Sequence, residues 1–152
     1  SRSMPAGLGW HPYFLRHEAC RLRFEALSVW QSDARNLPSQ MMPIPADWDF
    51  SAEKSLQQPG LDNCFIGRTE PVTIRWPNEG IELTMLSSET LDHLVVFTPA
   101  QEMGFFAVEP VSHANNALCM DDPVKYGMRV LRSGETMQVS CRFQIRRTAR
   151  LG

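Results

Sequence analysis

Apolar and polar residues alternate with a period of two along much of this chain, the spacing of a strand that buries one face. In residues 20–27, "CRLRFEAL", Cys20, Leu22, Phe24 and Ala26 alternate with Arg21, Arg23, Glu25 and Leu27, which predicts a strand. Residues 71–76 ("PVTIRW") and 81–86 ("IELTML") flank Pro77-Asn78-Glu79-Gly80 and predict a hairpin closed by a four-residue turn. Residues 94–98, "LVVFT", form a short continuous apolar run, the pattern of a strand buried on both faces. Residues 105–109, "FFAVE", are similar but end on a carboxylate, and 137–145, "MQVSCRFQI", alternate again after the turn residues "RSGE". The pattern is that of an all-β, antiparallel protein.

Two stretches break the alternation. Residues 36–60 hold four prolines and no strand pattern, with one weak helical start near Asp49–Glu53. Trp48, Phe50 and the paired Met41 and Met42 argue for an ordered loop that covers something, since long loops in a compact domain are usually functional or disordered. Residues 113–126, "HANNALCMDDPVKY", behave alike.

The length of 152 residues suits one domain, residues 1–152, able to bury a sizeable core. A net charge of −2 gives no electrostatic case for nucleic acid or an anionic membrane, and the basic run near Arg146, Arg147 and Arg150 reads as a solvated strand end. No apolar stretch approaches the roughly 20 residues that span a bilayer. Cys20, Cys64, Cys119 and Cys141 are widely spaced with no CxxC pair, which argues against structural zinc. Their apolar neighbours favour free thiols in a reducing compartment, so a cytoplasmic location is expected.

Three titratable residues interrupt apolar or turn contexts. His11 lies among Trp10, Tyr13 and Phe14 in "GLGWHPYF"; Asp62 follows Gly60-Leu61 and precedes Asn63-Cys64-Phe65; Glu109 closes an apolar run ahead of Pro110. A carboxylate ending a buried strand is costly unless it is paired, hydrogen-bonded or used. Each residue alone has a structural alternative: a satisfied core histidine, a turn aspartate, a paired glutamate. Together they suggest a general acid–base pair with an anchoring carboxylate. A metal site would draw on His11, Asp62, Glu109 and His113, but no two show a compact ligand spacing. There is no nucleophile elbow, and "GLG" lacks the spacing and following helix of a phosphate loop.

The segments "MPAGLGWHPYF", "GLDNCFIG" and "FFAVEPVSHANNA" occur in the order found in the aldose 1-epimerase (galactose mutarotase) family, and most resemble its bacterial branch. The closing "GMRVLRSGETMQVSCRFQI" resembles that family's last strands. The resemblance implies an antiparallel β-sandwich of the galactose mutarotase-like supersandwich type, and interconversion of the α and β anomers of an aldose without a cofactor. It implies Glu109 as general base, His11 as general acid and Asp62 on sugar hydroxyls. His113 joins the substrate-binding set, and Trp10, Tyr13 and Phe65 are candidates to stack on the sugar ring. A hexose 6-phosphate would need arginines in the pocket, for which Arg16, Arg68 and Arg75 are candidates. The matching segments correspond to the C-terminal half of such a protein. A homo-oligomer, a second chain completing the sandwich, or a smaller closed sandwich is therefore expected. The competing expectation is a non-catalytic carbohydrate-binding or interaction domain.

Overall fold

Two antiparallel sheets face each other in the computed structural model, which describes residues 2–56, 60–99 and 103–150. In chain order the strands are β1 (Met4–Ala6), β2 (Tyr13–Leu15), β3 (Arg21–Arg23), β4 (Ser28–Ser32), β5 (Pro38–Met42), β6 (Lys54–Ser55), β7 (Asp62–Ile66), β8 (Val72–Trp76), β9 (Ile81–Ser87), β10 (His93–Phe97), β11 (Phe105–Val111), β12 (Arg129–Leu131) and β13 (Cys141–Arg147). One sheet runs β2-β11-β10-β7-β4-β5 and the other β13-β9-β8-β3-β6, while β1 and β12 form a separate ribbon. The main core lies between the sheets. Val29, Phe65, Leu94, Val96, Phe106 and Val108 of the first meet Leu22, Val72, Ile74, Leu83 and Met85 of the second.

The hairpin at 71–86 forms as its pattern predicts. Gly80 N–H donates to Pro77 O at 3.2 Å, and Gly80 takes φ +63°, a conformation glycine adopts without strain. Likewise β10 is buried on both faces. Its inner residues join the main core, while Val95 belongs to a second cluster on the outer face with Trp30, Cys64, Ala114, Ala117 and Met128. The irregular segment 113–126 thus supplies part of a cover for the outer face of the six-stranded sheet.

Elsewhere the structure departs from the pattern. The strand expected over 20–27 is only β3. After Arg23 the chain crosses between sheets: Phe24 N–H donates to Phe50 O, and Leu27 N–H to Ile66 O of β7. Alternation continues through the crossing because Phe24 still enters the core. The stretch 36–60 is not strand-free. It contains β5, which pairs with β4, and β6, which pairs with β3; residues 57–59 lie outside the described residues. Its prolines are compatible with this because β5 is an end strand of its sheet, beginning at Pro38 and ending before Pro43. The helical turn falls earlier than Asp49, at Ala46–Trp48, and Asp49 instead accepts the Ser51 N–H. Glu109 does not end its strand, and 137–140 precede β13 without joining it.

Candidate active site

Extended backbone places alternate side chains on one face. On β11, Phe106 and Val108 enter the core, so Phe105, Ala107 and Glu109 face outward. The same holds for Val95 and Phe97 on β10, and for Asp62 and Cys64 on β7, which pair directly with those residues.

The opening "GLGWHPYF" runs alongside β11. Tyr13 pairs with Ala107, and Gly9 forms a bridge with Val111. Those two pairings share one register, so His11, midway between Gly9 and Tyr13, stands opposite Glu109. Trp10 N–H donates to Pro110 O at 3.0 Å, and Ser112 N–H to Leu8 O at 2.9 Å, which fit that register. Pro12 and Pro110 each remove a donor here, the physical reason that regular pairing lapses between Gly9 and Tyr13. The hydrogen-bonded pairs fall at Leu8/Ser112 and Trp10/Pro110, leaving His11/Glu109 at a non-hydrogen-bonded position. There opposed side chains come closest.

His11 Nε2 accordingly lies 3.0 Å from Glu109 Oε1, with the imidazole side chain 55% exposed and the carboxyl 12%. Burial pushes the Glu109 carboxyl above its ordinary value, the attraction of His11 opposes the rise, and repulsion from Asp62 adds to it. Burial also raises the Asp62 carboxyl. Asp62 stands two strands from Glu109, roughly 10 Å across the sheet at about 4.8 Å per strand. Between the two carboxylates on β10, Phe97 is partly exposed, whereas Val95 is buried beneath the outer cluster with Trp30, Ala114 and Met128. Cys64 lies beside Val95; burial pushes its thiol up to about 12, so it stays neutral.

The other sequence candidates separate. The Tyr13 ring lies 4.7 Å from that of His11 on the same face. Strand alternation turns Trp10 away from His11, and it lines a groove of about 320 Å³ with Leu8, Gly9 and Met137–Val139. His113 stands beyond the end of β11 against Gly7, where an added Cβ would come 2.3 Å from its Nδ1. Its Nδ1 lies 3.2 Å from Ser112 Oγ, and burial, then the charge of His93, lowers its pKa. Phe65 is fully buried in the core and does not reach the outer face; residues 62–66 form a strand, so Phe65 points opposite to Cys64. Arg16 donates to the Leu56 and Pro99 carbonyls, and Arg68 to those of Glu70 and Leu91. Arg75 pairs with Glu53 and Glu82 in the other sheet. Among the described residues no group of three or more His, Cys, Asp or Glu could hold a metal ion.

Sequence reasoning missed Ala107 and Phe97 as part of this face. Both sit in continuous apolar runs, where nothing local distinguishes the core side from the outer side.

The aldose 1-epimerase family profile matches residues 1–144. The uncharacterised protein YphB of Escherichia coli (strain K12) is 29% identical over 121 residues, covering 75% of this chain and 42% of that protein. A crystal structure of a candidate aldose 1-epimerase from Escherichia coli K12 superposes with a TM-score of 0.88 at 24% identity, over 96% of this chain and 52% of that one. A galactose mutarotase-like protein from Clostridium acetobutylicum gives 0.82 at 18% identity, over 97% and 49%. At these identities the solved structures speak for the fold. The chain spans about half the length of these relatives.

Proposed function

This chain belongs to the aldose 1-epimerase family, and from that premise we propose that it interconverts the α and β anomers of a hexose, with Glu109 as general base and His11 as general acid. The observation that carries the reading is the 3.0 Å contact between His11 Nε2 and Glu109 Oε1 on the outer sheet face that also holds Asp62.

The chemistry requires a base and an acid close together, because the anomeric hydroxyl and the ring oxygen are bonded to the same carbon. Glu109 takes the proton from the anomeric hydroxyl as imidazolium His11 gives one to the ring oxygen. The C1–ring-oxygen bond breaks, leaving a C1 aldehyde and a C5 hydroxyl. Rotation about C1–C2 presents the other aldehyde face. The C5 hydroxyl then adds to C1, returning its proton to His11, while Glu109 returns its proton to the carbonyl oxygen. The proton count closes within the pair, so no cofactor is needed. Raising the Glu109 pKa makes its carboxylate a stronger base, and the His11 contact favours its ionised form. Asp62 accepts hydrogen bonds from hydroxyls on the far side of the ring.

The engagement of Arg16 and Arg68 with backbone carbonyls, and of Arg75 with carboxylates of the other sheet, supports a neutral sugar over a hexose 6-phosphate. Four free thiols fit the cytoplasm. The exposed edge strands β2 and β13 support completion of the sandwich by a second copy or another chain.

The alternative, a sugar-binding domain without activity, draws on the short span relative to its relatives. NMR exchange between α- and β-glucose or galactose separates the two. Exchange above buffer, lowered about 10²–10⁴-fold in Glu109→Gln, is expected. Exchange no faster than buffer leaves only the binding reading.

A further inference from the structure

The chain of aromatic rings leading to His11 has no place in the proton transfers themselves. The Tyr13 ring lies against the His11 imidazole, with ring centroids 4.7 Å apart and planes tilted by 32°. Phe105 meets Tyr13 edge-on at 5.4 Å, and Phe97 lies 6.5 Å from Phe105. Phe97 is paired directly with Asp62, so the rings run from the carboxylate end of the face to the acid. Ala107, opposite Tyr13 in the same row, is fully buried, so the rings leave no gap above the sheet there.

His11 needs such support. Its imidazole is more than half exposed, and among the described residues its one polar contact is Glu109. A sugar entering between the two groups would replace that contact, leaving the imidazole without a polar anchor as it must deliver a proton. The prolines that thin the backbone pairing on either side of His11 weaken the alternative anchor, the main chain. A ring against one imidazole face limits rotation about χ2 and leaves both ring nitrogens free.

We infer that Tyr13 is a positioning residue, which with Phe105 behind it holds the His11 imidazole in the orientation that faces Glu109 and the sugar's ring oxygen. The inference rests on the epimerase reading for its kinetic consequence, but the positional part can be read without any activity. Tyr13 is 61% exposed, so replacing it leaves the core intact. Its hydroxyl is not required; its ring is.

The test compares Tyr13→Phe and Tyr13→Leu in the full chain, by nuclear Overhauser contacts between the His11 imidazole and the Glu109 side chain and by anomer-exchange kinetics. Tyr13→Phe should keep the contacts and kcat. Tyr13→Leu should lose the contacts and drop kcat roughly 10- to 100-fold, with KM little changed, as expected when a reacting group is misplaced rather than removed. Persistence of the His11–Glu109 contacts in Tyr13→Leu overturns the inference, whether or not the protein epimerises sugars. Loss of the contacts with kcat unchanged overturns it too. If the wild type shows no exchange while the contacts vanish in Tyr13→Leu and survive in Tyr13→Phe, the positioning role stands and the epimerase reading falls.

Discussion

The Glu109 carboxylate sits where burial and Asp62 both disfavour its charge and only His11 supports it. If ionised Glu109 is the base, kcat/KM must fall as pH drops through its pKa in the free enzyme. Because that pKa is raised, the acid limb lies above the ordinary carboxylate value. Asp62→Asn removes a repulsion that raises it, so the limb should move to lower pH while KM for sugar increases. A pH–rate profile whose acid limb stays put or moves upward in Asp62→Asn counts against this electrostatic account. His11, Asp62 and Glu109 were legible in the sequence because each is a polar exception in an apolar or turn context. Phe65 misled for the opposite reason. An aromatic one residue from the right face is indistinguishable locally from one that reaches it, and strand alternation sends Phe65 into the core.

Among the elements, the ladder between the opening segment and β11 decides how His11 meets Glu109. Gly9 lies against Val111, where an added Cβ would sit 2.5 Å from Val111 Cγ1 and 3.2 Å from Pro110 O. The valine methyl can rotate away, but the carbonyl cannot. Gly9→Ala should therefore push residues 9–11 off β11, costing about 1–3 kcal/mol in denaturant unfolding and separating His11 from Glu109. Wild-type stability together with wild-type exchange would refute this. The hairpin β8–β9 and the doubly buried β10 could be read directly, since turn chemistry and apolar runs act over a few residues. Strands β4 and β7 were not, because they pair with each other, and β7 with β10, across long stretches of sequence, while β5, though it pairs with nearby β4, lacks alternation and begins on a proline. The crossing at Phe24 escaped detection since burial continues through it while the hydrogen-bond partner changes sheet.

In the molecule as a whole, one side of the sandwich is open. Inward-facing positions of β13, opposite the buried Leu83 and Met85, remain exposed, with Ile145 70% accessible and Phe143 only partly covered by Phe14. Antiparallel pairing of two β13 strands about Gln144 would set Arg142 against Arg146. The apolar positions rather than the backbone edge should therefore drive association. Light scattering on the purified chain should give a mass above that of one copy, falling towards one copy in Ile145→Glu. A concentration-independent mass of one copy would exclude self-association and leave a different chain as the completing partner.

Periodicity, turn residues and misplaced polar groups are local properties, and from them alone the all-β class, the main hairpin and the three candidate polar residues could be read. Which face each strand buries, which strands are neighbours, and that His11 stands opposite Glu109 depend on pairing between separate segments, the opening stretch and β11 being the most remote in sequence of those at the site. Tertiary structure settled those points. A strand's period of two states that alternate residues share a face, but only its partners determine which face becomes the core and which becomes the site.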